Sequence, residues 1–102
     1  MPIHMTARFE IKLESAAIVQ KAVEEFVYAI KANETHTVLY RSLREVENPA
    51  AYLHYFIFED RAAEEFHRTT AWVNRFVETL YPETIQDVIF TKYEEVASTG
   101  PS

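Results

Sequence analysis

A chain of 102 residues with 48% hydrophobic composition suits one small domain with a real core, and is too apolar to stay disordered. A net charge of −6 argues against broad electrostatic binding to nucleic acid or to an anionic membrane, and the absence of cysteine excludes disulfides and thiolate metal sites. The single glycine, Gly100, lies near the C-terminus, so glycine-rich phosphate loops and dinucleotide fingerprints are excluded as well.

Residues 1–4 read as a flexible lead. MPIHMTARF has neither the basic start nor the apolar run of a secretory signal, and no apolar run approaches the ~18 residues of a membrane span. With no cysteine in the chain, the expected setting is cytoplasmic. Met5 to Leu13 predicts the first strand, with Ala7, Phe9, Ile11 and Leu13 on one face and Arg8, Glu10 and Lys12 on the other. Ser15 is placed to N-cap a helix running to about Ala32. Its stripe is Val19, Ala22, Val23, Phe26 and Ile30, widened by Ile18 and Val27. Asn33-Glu34 predicts the break, since Asn tolerates the left-handed geometry that ends helices. His36 to Arg44 predicts a second strand, followed by a polar turn closed at Asn48-Pro49.

The third strand is the most aromatic stretch of the chain. In AYLHYFIF, Ala51 to Phe58, Tyr52, His54, Phe56 and Phe58 alternate with Leu53, Tyr55 and Ile57. Both sides of such a strand are large and mostly apolar, which predicts a central strand covered twice. Glu59-Asp60 then opens a helix at the end where negative charge suits the macrodipole. Ala63, Phe66, Thr70, Val73, Val77 and Leu80 recur as one buried face, with a kink or break near Thr69-Thr70. Tyr81-Pro82 ends the helix, because the residue before proline avoids helical geometry. Thr84 to Glu94 predicts the last strand, with Ile85, Ile89 and Tyr93 opposite Val88 and Phe90. Residues 5–95 form the domain, and residues 96–102 read as a disordered tail.

Strand, helix, strand, strand, helix, strand is the split βαβ, ferredoxin-like α+β order. It puts the first and third strands in the middle of an antiparallel sheet, with two helices on one face. The open face still needs cover, from a second copy packed sheet to sheet or from a ligand.

The stretch YLHYFIFEDRAAEEFHRTTAWVNRFV, Tyr52 to Val77, resembles the antibiotic biosynthesis monooxygenase (ABM) family of the dimeric α+β barrel superfamily. The matching features are an apolar strand ending in an aromatic and two acidic residues (Phe58-Glu59-Asp60), a histidine on the following helix (His67), and a later aromatic (Trp72 or Phe76). The resemblance implies a homodimer closed through its sheet faces, and a cavity between sheet and helices in each subunit. It also implies oxidation of aromatic polyketides or quinols without metal or flavin, or haem opening. The chain departs from the family pattern in having Phe58 where several members place a pocket tryptophan, and Asn33-Glu34-Thr35-His36 where a glycine usually precedes the second strand. TARFEIKL has no asparagine where the haem-opening subgroup carries one, which disfavours that branch.

His67 and His54 are the candidate catalytic residues, since a neutral imidazole with an ordinary pKa of ~6.5 can take a proton from a phenol or enol. Phe58, Trp72, Phe26, Phe56 and Phe76 are the candidate substrate wall, suited to a small, flat, apolar or aromatic ligand. The resemblance implies no cofactor, and no metal is expected, because His36, His54 and His67 show no tight ligand spacing. Glu24-Glu25, Glu64-Glu65 and Glu94-Glu95 read as solvated carboxylates, and Arg8, Glu10, Lys12 and Arg41 as surface or dimer-facing charges. The expected function is a cofactor-independent monooxygenase or related isomerase acting on an aromatic or quinone-like compound. The alternative is a non-catalytic dimeric small-molecule-binding or stress-related module of the same fold, which Phe58 favours. RNA binding shares the element order, but the aromatic and basic RNP run is absent.

Overall fold

The computed structural model describes residues 1–100, so the last two residues of the expected tail, 101 and 102, lie outside the described residues. Strand β3, Ala51–Phe58, runs through the sheet interior as its composition requires. It pairs antiparallel with β1, Ile3–Glu10, on one side and with β2, Thr37–Arg44, on the other. Strand β4, Ile89–Tyr93, closes the order β2-β3-β1-β4. Two residues read as flexible lead, Ile3 and His4, belong to β1, and His4 is buried between Ile57 and Tyr93. The sheet takes them because the partner strands extend far enough to satisfy their backbone groups.

Register sorts the side chains into rows. On the inner face, Tyr40, Phe56, Met5 and Lys92 form one row, and Ser42, His54, Ala7 and Phe90 the next. On the outer face, Leu43, Leu53, Arg8 and Ile89 form a row, and Arg41, Tyr55, Thr6 and Thr91 another. A one-residue irregularity between Thr37 and Leu39 adjusts β2 before Tyr40 comes into line with Phe56. Leu13 leaves the first strand's face altogether; it is exposed in a 3₁₀ turn, Leu13–Ser15.

Helix α1, Ala16–Asn33, buries Val19, Val23, Phe26 and Ile30 at spacings of four, three and four, one stripe of a 3.6-residue period. Ile18, expected to widen that stripe, is exposed. Ser15 stands at the N-cap position, but its hydroxyl donates to Glu83 instead of capping. No described non-glycine residue has positive φ, so Asn33 does not end the helix in left-handed geometry. The chain passes straight into extended backbone at Glu34, while the Asn33 amide donates to the Ala29 carbonyl.

The break expected near Thr69-Thr70 is complete, and it makes three helices where two were expected. Helix α2, Arg61–Arg68, is N-capped by Asp60, whose carboxylate accepts from the Ala63 amide. Helix α3, Ala71–Leu80, is N-capped by the Thr70 hydroxyl, which accepts from the Val73 amide. Each helix therefore sets its own phase. α2 buries Ala63, Glu64 and His67, and Phe66 is 52% exposed, against the expected stripe. α3 buries Phe76 and Leu80, and Phe76 stacks on Phe26 of α1 with ring centroids 4.3 Å apart. Tyr81 keeps helical dihedrals before Pro82, so α3 ends by tightening into a 3₁₀ turn, Tyr81–Glu83. Beyond it, only Ile89–Tyr93 pairs as β4, with Thr84 reduced to an isolated bridge to Ile11.

Candidate active site

A cavity of about 550 Å³ lies between the inner sheet face and helices α2 and α3. Its wall is mostly apolar, which suits a flat organic ligand. His54 and His67, read from the sequence as candidate catalytic groups, both line it. So do Phe26, Phe56, Phe58 and Phe76 of the expected substrate wall. Trp72 does not line it and sits instead beside Phe66 and a smaller surface cleft. His36 stands apart, exposed and 3.0 Å from Glu59. Among the described residues no cluster of three or more histidine and carboxylate groups could hold a metal ion.

The residue that organises the site is Glu34, just past α1. Its side chain is 1% exposed. His67 Nδ1 lies 3.0 and 2.9 Å from its two carboxylate oxygens, the Trp72 indole N–H donates to it at 2.6 Å, and the Thr37 hydroxyl donates as well. A carboxylate only accepts, so Nδ1 of His67 carries a proton and donates it to Glu34, which leaves Nε2 as the ring nitrogen not committed to that contact. Burial pushes the Glu34 carboxyl up, but the hydrogen bonds from His67, Thr37 and Trp72 outweigh it and hold the group below its ordinary 4.5. Trp72 thus has the polar partner its N–H requires, and serves the site from behind.

His54 is a different kind of histidine. It is 1% exposed, and burial pushes its pKa down to about 4, so it is neutral near pH 7. Its Nδ1 is 2.7 Å from the Tyr40 hydroxyl, and its Nε2 is buried with no hydrogen-bond partner. Burial, and then the charge on Glu34, hold the Tyr40 phenol protonated. The Tyr40 ring stacks on Phe56 at 4.9 Å and on His67 at 6.1 Å, so one tyrosine joins the two histidines.

At the β4 side, Glu64 is buried and bonded to Arg68 and Lys92, the lysine at 3.3 Å. Its side chain is 4% exposed, which corrects its reading as half of a solvated acidic pair. It turns inward because α2 places residues 63, 64 and 67 on one face. Burial alone would raise its pKa; the hydrogen bonds and charges of Arg68 and Lys92 keep it low.

Sequence reasoning missed Glu34, Tyr40 and Glu64. A carboxylate directly after a helix has the same local pattern as a solvated turn. Tyr40 carried one usable signal, its place in the same alternating set of β2 as Ser42, which register brings beside His54.

The fold and cavity define a ferredoxin-like α+β domain with an aromatic-walled, histidine-bearing site. The family profile described as "antibiotic biosynthesis monooxygenase" matches residues 2–79, and the chain belongs to that family. No functionally curated protein matches it significantly. An antibiotic biosynthesis monooxygenase of solved structure is similar at 23% identity, with 93% of this chain and 99% of that one covered and a TM-score of 0.86. A candidate member from Bacteroides thetaiotaomicron is similar at 16% identity, with coverage of 99% and 95% and a TM-score of 0.90. The protein Rv0793 from Mycobacterium tuberculosis is similar at 12% identity, with coverage of 98% and 100% and a TM-score of 0.87. At these identities the likeness is one of fold.

Proposed function

We propose that this chain is a cofactor-independent monooxygenase that oxidises a small aromatic or quinol-like compound in the cavity between sheet and helices. The observation that carries the reading is the Glu34-held imidazole of His67 on an otherwise aromatic wall. With Nδ1 committed to Glu34, Nε2 is the one basic nitrogen His67 offers to a ligand. It takes a proton from an activated C–H or phenolic O–H of the substrate. The Tyr40 phenol, held by His54, donates to the oxygen on which the negative charge develops. The resulting carbanion, or phenolate with its charge delocalised onto a ring carbon, gives one electron to O₂; the radical pair combines at that carbon, and His67 returns the proton to give a hydroperoxide. Loss of water leaves a new carbonyl. At a methylene carbon the balance is CH₂ plus O₂ to C=O plus H₂O, with all four electrons supplied by the substrate.

The same reading includes a cytoplasmic homodimer. Leu43, Ile89 and Tyr93 are exposed on the outer sheet face, and the Thr6 hydroxyl is buried there without a partner. A second copy of the sheet would cover them. A second functional reading, a non-catalytic small-molecule-binding module of the same fold, is favoured by Phe58, which is fully buried where several relatives place a tryptophan. Oxygen consumption with anthrone and with 1,4-dihydroxynaphthalene separates the two. The oxygenase reading expects uptake that His67→Ala abolishes. Absence of uptake, together with unchanged ligand binding in that variant, would leave the binding module.

A further inference from the structure

The cavity mouth carries a charge arrangement that proton abstraction by His67 does not use. Glu64 on α2 is the buried carboxylate, and Arg68 on α2 and Lys92 on β4 both bond to it. All three line the cavity. One cation would neutralise Glu64. Two stand there, with side chains 63% and 57% exposed, and they leave one positive charge at the opening of a protein whose net charge is −6.

Position in the sheet fixes where that charge lies relative to the reacting groups. Tyr40, Phe56, Met5 and Lys92 form one inner row across all four strands. Tyr40 and Lys92 are its two ends, three inter-strand steps or about 14 Å apart along the backbone. Phe56 and Met5 are the apolar floor between them. Phe90, on the wall and 55% exposed, flanks Lys92 two residues away on the same face of β4. His67 lies over the Tyr40 end, with centroid distances of 6.1 Å to Tyr40 and 6.3 Å to Phe56. The site is therefore polarised: neutral donor and base at one end, surplus cation at the other, and an apolar floor of aromatic length between.

We propose that Arg68 and Lys92 are specificity-determining residues, and that the ligand is an aromatic acid whose carboxylate sits at the mouth while its ring lies over Phe56 and Met5. A monoanion matches the single surplus charge, and a guanidinium with an ammonium supplies the donors a carboxylate accepts. The ring end then reaches the Tyr40 and His67 side chains. This rests on the oxygenase reading for what happens to the ring, but not for what holds the acid.

The test is a fluorescence binding titration with 3-hydroxy-2-naphthoate and its neutral counterpart 2-naphthol, with no turnover required. The acid is expected to bind about tenfold more tightly, the worth of one hydrogen bond to a charged group at a partly wet site. High salt is expected to shrink the difference. Lys92→Met and Arg68→Gln should each reduce the preference, the double variant should abolish it, and Lys92→Arg should retain it. Circular dichroism melts of each variant check folding, and the Lys92→Arg comparison holds even if the methionine variant is unstable. Equal or tighter binding of 2-naphthol to the wild type overturns the proposal, as does a preference that survives in the double variant. If neither probe binds, the aromatic-ligand reading falls as well. An acid preference without oxygen uptake keeps the proposal and removes the oxygenase.

Discussion

Glu34 and His67 are 33 residues apart in sequence, yet both carboxylate oxygens of Glu34 lie within 3.0 Å of the same ring nitrogen of His67. This contact ties the end of α1 to α2 and leaves Nε2 as the ring nitrogen not committed to Glu34. Replacing Glu34 with glutamine keeps the size but offers an amide to donors that need an acceptor. The expected result is a loss of turnover of about a hundredfold, within the range of general-base catalysis. Ligand affinity should change much less. A steady-state comparison of kcat and KM with 1,4-dihydroxynaphthalene checks it, and an unchanged kcat would remove Glu34 from the mechanism.

The same carboxylate makes a pH-dependent contribution to stability. Its pKa lies below the ordinary 4.5 in the folded chain, so the unfolded state binds the proton more readily. The stabilisation is fully present above 4.5 and is lost as pH falls through the depressed folded value. Urea unfolding at a series of pH values should show the acid-induced loss in the wild type and a shallower one in Glu34→Gln. Parallel curves would contradict the assignment.

His54 acts in a higher window. Its folded pKa of about 4 lies below the ordinary histidine value of 6.5, and the unfolded chain therefore takes up a proton that the folded one refuses. Stability is unaffected above 6.5 and falls between 6.5 and about 4, by about 3 kcal/mol in order of magnitude for so buried a ring. Proton NMR of the imidazole C–H signals is the direct measurement. One histidine should remain neutral down to about pH 4, and its signal should vanish in His54→Gln.

These residues also mark how far a sequence can be read. The interior place of β3 and the main stripe of α1 were legible because large apolar residues recur there at strand and helix periods. The break at Thr69-Thr70 was legible too, but its consequence was not. Once Thr70 caps a new helix, α2 and α3 no longer share a phase, so Phe66 turns out and Glu64 and His67 turn in. Neighbouring glutamates, Glu64 and Glu65, look alike as letters and differ only in which side of a short helix they occupy. Glu34 was hidden for a tertiary reason. Its three donors come from β2, α2 and α3, and none is near it in the chain except Thr37.

Phe58 tests how the apolar wall supports the His67 ring. It is 1% exposed, and its ring lies 5.1 Å from the His67 ring and 5.6 Å from Phe56. Phe58→Ala should cost about 3–5 kcal/mol, the range for truncating a fully buried phenylalanine. Chemical denaturation measures it. A loss below about 1 kcal/mol would mean that the site collapses freely, against the packing described.

The outer face gives the last prediction. Leu53 sits in the row Leu43, Leu53, Arg8 and Ile89, and Leu43 and Ile89 are each about half exposed in the single chain. A second sheet packed on this row would bury these apolar groups. It would also enclose Arg8 and Arg41, which would then need partners across the interface. Leu53→Arg adds a third positive charge to that face, directly beside Arg8. Like charges directly opposite across strands already destabilise a sheet, and a facing copy would double the repulsion by symmetry. The expected outcome is a dimer for the wild type at micromolar concentration and a single chain for the variant, measured by sedimentation. Because the cavity opens on the opposite face, binding of 3-hydroxy-2-naphthoate should survive dissociation if the monomer stays folded. A wild-type chain that sediments alone would leave the outer apolar row uncovered and end the homodimer reading.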